Sequence, residues 1–222
     1  ELESMGIEVL RFSDYYGLIG VLKGGRAGKT VLLRADIDAL GIREENELDF
    51  CSVHAGVMHA CGHDCHSAML LGAAKILSAY RDALKGTVKF LFQSAEESGH
   101  GANYYVDHGC LDGVDAAMAI HMMNEIPEGT FSIEAGPRMA SCTDFTLTVP
   151  GVATHGSMPH LGHDAIVAAS AVIMNLQTLV SRQHSPLRPL VVSIGSVRAG
   201  SQFNIVADEV VMKGTIRTFD RD

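Results

Sequence analysis

The first half of the chain carries its apolar residues in short continuous runs. Runs at 17–22, 30–34, 87–93 and 115–120 predict strands. The continuous run at 30–34 is typical of a strand that is buried on both faces of a sheet, and 115–120 is expected to be another buried strand. Between them, apolar positions recur at helical spacing from residue 67 to residue 80, and a second helix is expected over 102–108. This pattern predicts an α/β unit with a mixed sheet and helices on both faces, and a hairpin turn is expected at residues 23–25.

The second half has a different pattern, which begins near residues 136–138. Residues 143–149 alternate apolar and polar side chains, as expected for a strand with one solvated face. A helix is predicted to start at Asp164, and strands are predicted at 190–197 and 209–217. We therefore expect one domain over 1–138 and a second over 139–222, an incomplete ferredoxin-like β-α-β-β unit, here called the lid, which lacks a last helix and strand.

An open strand edge in the lid predicts an oligomer. Exposed edges of sheets usually pair with another strand, and a two-fold copy of the same edge is the simplest partner. We therefore expect a homodimer that forms through the lid.

Composition limits the partners and the compartment. The 222 residues are 47% hydrophobic, and the formal net charge of −9 argues against nucleic acid and anionic membranes as partners. No uninterrupted apolar run reaches the length of a membrane span, and the first residues do not resemble a signal peptide. Five cysteines, an odd number without the density of a disulfide framework, favour a reducing, cytoplasmic setting.

A dense cluster of metal-binding residue types occupies positions 59–66. It contains three histidines, two cysteines and an aspartate within HACGHDCH. Thiolate and imidazole ligands suit a divalent transition metal, with zinc first and manganese, cobalt or nickel as alternatives. Spacing alone leaves open whether the ligands are Cys61 and His63 or His63 and His66. The simpler alternative is a polar helix start that is capped by Asp64, with the histidines solvated.

Other polar side chains follow the ends of the predicted strands. They are Asp36 and Asp38, Glu96 and Glu97, and His121. Each has an ordinary explanation by itself, such as a solvated helix start or a loop histidine. Because ligands bind at the carboxyl edge of open α/β sheets, we expect these groups to gather there with Cys61 and His63.

Motifs over nearly the whole chain resemble those of one enzyme family. They are LRADIDAL at 33–40, MHACGHD at 58–64, FQSAEE at 92–97, His121, THG at 154–156, Pro159-His160, FNIV at 203–206 and GTIRTFD at 214–220. Together they resemble the amidohydrolase branch of the dinuclear metallo-aminopeptidase and carboxypeptidase clan. That branch includes N-acyl-amino-acid amidohydrolases, hippurate hydrolases and indoleacetyl-amino-acid hydrolases.

The resemblance implies that 1–138 is a metal-binding catalytic domain and 139–222 a lid and dimerisation domain, and it implies a role for each matching residue. Two divalent metal ions, zinc or manganese before cobalt or nickel, would be bound by Cys61, His63, Glu97 and His121. Glu96 would be the general base that takes a proton from the metal-bound water, and Asp36 would orient the cluster from behind. In the lid, His155 would stabilise the oxyanion, in relatives often from the neighbouring subunit. Asn204 and Arg217 would hold the carboxylate of the substrate.

The expected function is therefore metal-dependent hydrolysis of the amide bond of N-acyl amino acids. Two departures from the family pattern are mild, Gly41 and Ser94 in place of the usual prolines. A third is larger, because the usual opening His-x-x-Pro-Glu segment and the last metal-binding histidine have no counterpart here. The expected alternatives are a catalytically inactive fragment that binds metal and dimerises, and a structural zinc site without chemistry.

Overall fold

The computed structural model describes residues 1–220, which form two compact units that divide between Phe131 and Ser132. The first unit contains a five-stranded mixed sheet in the order β1-β2-β4-β3-β5. β3, β4 and β5 are parallel, β2 is antiparallel to β4, and β1 is antiparallel to β2. The strands are β1 (Glu8–Arg11), β2 (Gly17–Lys23), β3 (Arg26–Asp36), β4 (Lys85–Gln93) and β5 (Ala116–Ala119).

Two helices cover the two faces of this sheet. α1 (His63–Ala79) packs Leu70 and Ala74 into one core with Phe90. α2 (Gly101–Asp107) places Tyr105 in a second core with Leu91, whose side chain points to the opposite face of β4. Because neighbouring residues of a strand face opposite sides, Phe90 belongs to one core and Leu91 to the other. The predicted mixed α/β architecture is confirmed. The expectation that the run at 115–120 forms a buried strand is wrong, because all four residues of β5, at the edge of the sheet, are exposed.

The predicted hairpin at residues 23–25 is wrong. β2 and β3 are consecutive in the chain but lie on either side of β4, so the turn crosses the start of β4 instead of joining paired strands. The Gly24 N–H donates to Gly86 O over 2.8 Å, and a Cβ added at Gly24 would lie 2.4 Å from Leu84 O. Glycine permits this close backbone approach, which makes the crossing tight.

The second unit is a three-stranded antiparallel sheet with one long helix. β6 (Ser141–Pro150), β7 (Leu190–Ala199) and β8 (Glu209–Thr218) are arranged in the order β6-β8-β7. α3 (Ala165–Thr178) begins after Asp164, whose carboxylate accepts hydrogen bonds from the next helical N–H groups and caps the helix. The order of elements along the chain is the expected β-α-β-β.

α3 continues into a π-helical turn over Leu179–Gln183. The combined segment Ala165–Gln183 has a mean hydropathy of 1.4 and is long and apolar enough to cross a membrane by length and composition. This test differs from the earlier expectation, which concerned only uninterrupted apolar runs. Ala165 and Ala169 of α3 pack against Val210 and Met212 of β8, a contact that helices of non-membrane domains also make.

Candidate metal centre

The carboxyl edge of the parallel strands collects the groups that the sequence placed at strand ends. Asp36 at the end of β3 lies in register with Gln93 at the end of β4. The Glu96-Glu97 pair follows in the turn after β4. α1 starts at the same edge, where Gly62 adopts a φ of 83° before His63. His121 follows β5, the next parallel strand. The convergence follows from parallel pairing, since strand ends with the same polarity meet at one edge.

His63 is the centre of this arrangement. Three groups of side chains have ligand atoms within 4.8 Å of one another, and all three include His63: Cys61 with His121, Asp36 with His66, and Glu96 with Glu97. The His63 ring is 1% exposed. It is therefore as buried as Asp36 and lies beneath the exposed His121 and Glu97.

The two nitrogens of His63 have different surroundings. Nδ1 lies 3.0 Å from Asp38 O and 3.2 Å from Asp38 Oδ1, both of which only accept hydrogen bonds, so Nδ1 carries the proton. Nε2 is buried and has no hydrogen-bond partner within residues 1–220. It lies 3.6 Å from Asp36 Oδ2 and 3.7 Å from Glu97 Oε1. An imidazole that donates through one nitrogen and presents the other to carboxylates has the arrangement of a metal ligand.

Cys61 and His121 form the outer pair of the centre. The Cys61 Sγ lies 3.5 Å from His121 Nε2, while His121 Nδ1 donates to Met122 O over 2.6 Å. Burial, the hydrogen bond to Glu97 and nearby carboxylate charges raise the pKa of Cys61 to about 11. These carboxylates make thiolate formation unfavourable unless a cation offsets their charge, so the donor set fits a divalent metal.

Asp38 connects two members of the centre. Besides its contacts with His63, its Oδ2 accepts a hydrogen bond from the Glu97 N–H over 3.0 Å. Just before the glutamate pair, Ala95 has a φ of 59°, an uncommon conformation for a residue with a Cβ. The turn after β4 therefore has a specific backbone conformation, which sets the positions of Glu96 and Glu97.

Asp36 has a supporting position behind His63. It is 1% exposed, and its Oδ2 accepts from Arg34 Nη1 over 2.8 Å. Its Oδ1 accepts from His66 Nδ1 over 2.5 Å. Burial by itself would raise the pKa of Asp36, but the hydrogen bond from His66 and the charge of Arg34 outweigh it and lower that pKa below its usual value.

The departure at Ser94 has a structural explanation. Its backbone N–H donates to Tyr105 Oη over 3.2 Å, and its hydroxyl donates to Tyr16 O. Proline, which has no N–H, would lose the first bond. Ser94 therefore anchors the end of β4 to α2 and to the segment before β2.

The three lid residues predicted from the resemblance lie in the second unit. His155 pairs with Ile205 in an isolated bridge, and Gly156 N donates to Asn204 O over 2.7 Å, so His155 and Asn204 are neighbours. Arg217 lies near the far end of β8, in register with Cys142 and Val191. Eight residues separate Glu209 from Arg217 along β8. That spacing is about 27 Å at roughly 3.4 Å per residue, so Arg217 lies apart from the His155–Asn204 pair.

Two residues of the centre have contacts that sequence reasoning did not assign. Asp38 was noted only as a carboxylate at a strand end, and His66 only as an alternative ligand. The position of Asp38 two residues after Asp36 was a usable signal, since both side chains then lie on one side of an extended chain. The part played by His66 depends on contacts with residues far away in the sequence.

An open cleft adjoins the centre. It has a volume of about 1010 Å³ and is lined by Cys61 and His121 together with residues of the 44–60 and 122–125 segments. Glu44 and Glu125 supply charge, while Phe50 and Met122 supply apolar surface. A small molecule of mixed polarity fits such a cleft.

Comparisons with known proteins agree with this geometry. Residues 32–217 match the Peptidase family M20/M25/M40. The chain is 42% identical over 221 residues to the N-acetyl-L-cysteine deacetylase of Bacillus subtilis (strain 168), covering 100% of this chain and 53% of that protein. It is 44% identical over 220 residues to the N-acyl-L-amino acid amidohydrolase of Geobacillus stearothermophilus, covering 99% and 60% respectively.

A solved structure also matches. It is a dinuclear metal binding peptidase of the M20 family from Bacillus subtilis, with a TM-score of 0.82 and 39% identity over 99% of this chain and 56% of that one. The chain thus spans little more than half the length of these relatives.

Proposed function

The chain belongs to the Peptidase family M20/M25/M40, and we propose on that premise that it carries the metal centre of an amidohydrolase that cleaves N-acyl amino acids. The observation that carries this proposal is the buried, unpartnered Nε2 of His63, which lies close to Asp36 and Glu97. The named activities of the relatives, deacetylation of N-acetylcysteine and hydrolysis of N-acyl-L-amino acids, support the substrate class.

In this proposal Cys61, His63, Glu97 and His121 hold two divalent ions, with zinc or manganese before cobalt or nickel. When bound, the ions supply Lewis-acid polarisation of the scissile carbonyl and lower the pKa of bound water. His63 Nε2 lies close to the carboxylates of Asp36 and Glu97, so one cation held by this nitrogen would also meet a carboxylate. Asp36 supports His63 from behind, and its low pKa keeps it anionic there.

Glu96 is the proposed general base. It follows Ala95 in the turn after β4 and has a ligand atom within 4.8 Å of His63 and Glu97. From this position its carboxylate would take a proton from the attacking water and pass it to the leaving amine. A structural zinc site explains less, because it closes four ligands around the ion and has no use for a second glutamate next to one of them.

The lid is proposed to act across a homodimer. His155 and Asn204 lie near the start of β8, whereas Arg217 lies about 27 Å further along the strand at roughly 3.4 Å per residue. One lid therefore cannot offer all three side chains to the same small substrate. A two-fold copy joined through the lid would supply His155 to the partner's centre, while Arg217 holds the substrate carboxylate with its planar guanidinium. We place the protein in the cytoplasm, where thiols such as Cys61 stay reduced.

The test compares Glu96→Gln with Glu97→Gln in the full-length gene product. We expect Glu96→Gln to keep its zinc and to lose about 10²–10⁴-fold in turnover of an N-acetyl amino acid. Glu97→Gln should lose zinc, measured by elemental analysis after dialysis. Full activity in Glu96→Gln would refute the proposal, and a wild-type protein that binds zinc without hydrolysing any N-acyl amino acid would favour the inactive alternative.

A further inference from the structure

His66 lies at the candidate centre but has no free nitrogen. It is 3% exposed, on the first turn of α1. Its Nε2 accepts a hydrogen bond from the Met122 N–H over 2.8 Å. A backbone N–H can only donate, so Nε2 must carry a lone pair and Nδ1 must carry the proton. That proton is donated to Asp36 Oδ1, and both ring nitrogens are therefore occupied.

The Met122 backbone is held by two histidine rings, one at each of the successive peptide units that meet at its Cα. His66 accepts from the Met122 N–H, and His121 Nδ1 donates to the Met122 C=O over 2.6 Å. With Nδ1 protonated, the lone pair of His121 is on Nε2, the nitrogen that lies 3.5 Å from Cys61 Sγ. The backbone conformation at Met122 thus decides which nitrogen of His121 faces Cys61.

This arrangement matters because the segment after β5 leaves the sheet at that point. Ala119 is the last residue of β5 in register with β3, and residues 120–124 have no helix or strand. His121 itself is exposed, so packing does little to orient its ring. The buried hydrogen-bonding side chains of His66 on α1 and Asp36 on β3 can supply the orientation of the His121 ring that packing does not.

We propose that His66 is a positioning residue that sets the His121 ring through the Met122 backbone, with Asp36 holding His66 in the required tautomer. The inference rests on the proposed metal centre only in its consequence for metal affinity. The path runs from Asp36 on β3 to His66 on α1, then to the Met122 N–H, and from the Met122 C=O to His121. Ligand orientation by such supporting groups typically changes metal affinity by about 10–100-fold.

Two conservative variants separate this role from a merely structural one. In His66→Gln, the side-chain oxygen can take the place of Nε2 and accept from the Met122 N–H. In His66→Asn, the shorter amide can take the place of Nδ1 and donate to Asp36 but leaves the Met122 N–H without its acceptor. A residue that served only to neutralise or anchor Asp36 would be replaced better by asparagine than by glutamine.

The first measurement is the tautomer of His121 in the metal-free, full-length protein. Long-range proton–nitrogen NMR of ¹⁵N-histidine-labelled protein shows which nitrogen is protonated, with His121 assigned from a His121→Asn variant. We expect His121 to be protonated on Nδ1 in the wild type and in His66→Gln, and to show a mixture of tautomers in His66→Asn. Identical His121 signals in both variants, or a greater change in His66→Gln, would overturn the proposal.

The second measurement is zinc affinity by competition with a chelator. We expect a loss of about 10–100-fold in His66→Asn and a smaller loss in His66→Gln. Equal losses, or no loss, would overturn the proposal. If neither variant folds, the wild-type spectrum decides, because His66 protonated on Nε2 contradicts the assignment and His66 protonated on Nδ1 supports it. A wild-type protein with the expected tautomers that binds no zinc would refute the proposed function and leave the ring positioning supported.

Discussion

Asp38 offers the sharpest test of how the metal centre is held, through the variant Asp38→Asn. One carboxylate accepts two hydrogen bonds, Oδ1 from His63 Nδ1 at 3.2 Å and Oδ2 from Glu97 N at 3.0 Å. Asparagine has nearly the same shape but only one acceptor oxygen. Whichever way the amide is turned, its NH₂ group faces a donor, either the imidazole or the peptide N–H.

The expected effect follows from the loss of one of these two bonds. A hydrogen bond to a charged acceptor contributes about 1.5–3 kcal/mol. At about 1.4 kcal/mol for each tenfold change, zinc affinity should fall by roughly 10- to 150-fold. Loss of a supporting partner of a metal ligand usually lowers metal affinity by about 10–100-fold, and the range expected here overlaps that value.

The assay is competition for zinc between the full-length protein and a chelator of known affinity. Asp64→Asn is the matched control, since Asp64 belongs to the same motif but is exposed and accepts a hydrogen bond from the neighbouring Cys65 N–H. We expect the control to bind zinc as the wild type does. Unchanged affinity in Asp38→Asn, or an equal loss in Asp64→Asn, would refute the reasoning.

Three further predictions follow from individual residues. The pKa of Cys61 is raised to about 11, so its thiol is protonated at neutral pH, and zinc affinity should rise roughly tenfold per pH unit as binding displaces that proton. Calorimetry in buffers of different ionisation enthalpy should show about one proton fewer released in Cys61→Ser than in Cys65→Ser; equal release would contradict this. Ala95→Gly should stabilise the protein against denaturant by up to about 1 kcal/mol, because glycine relieves the positive φ of 59°, and destabilisation would count against the strain. Phe90 is fully buried, so Phe90→Ala should lower the free energy of unfolding by about 3–5 kcal/mol, and a loss below 1 kcal/mol would show that the core is not closely packed there.

The sequence was enough to predict most of the elements and the edge at which the polar groups meet. Continuous and alternating apolar runs indicate where strands form, which is a local property. They do not fix how deeply a strand is buried, since all four residues of β5 are exposed. Asp36, the Glu96-Glu97 pair and His121 each follow directly after such a run, so their meeting requires only that the strands be parallel. The helix start was less well predicted, since α1 begins at His63 and not at residue 67.

The tertiary structure decided the pairings and the hydrogen-bond partners. Lys23-Gly24-Gly25 has the residues of a hairpin, yet β4 inserts between β2 and β3, a long-range pairing that a local turn pattern does not report. His63 and His66 are two histidines of one motif, three positions apart, and their residue type does not show which of them binds metal. Only folding places Asp38 beside His63 Nδ1 and both Asp36 and the Met122 N–H beside His66, from 25 to 56 residues away in the chain. A histidine is free to bind metal only through a nitrogen that no such partner occupies, and those partners are brought by packing.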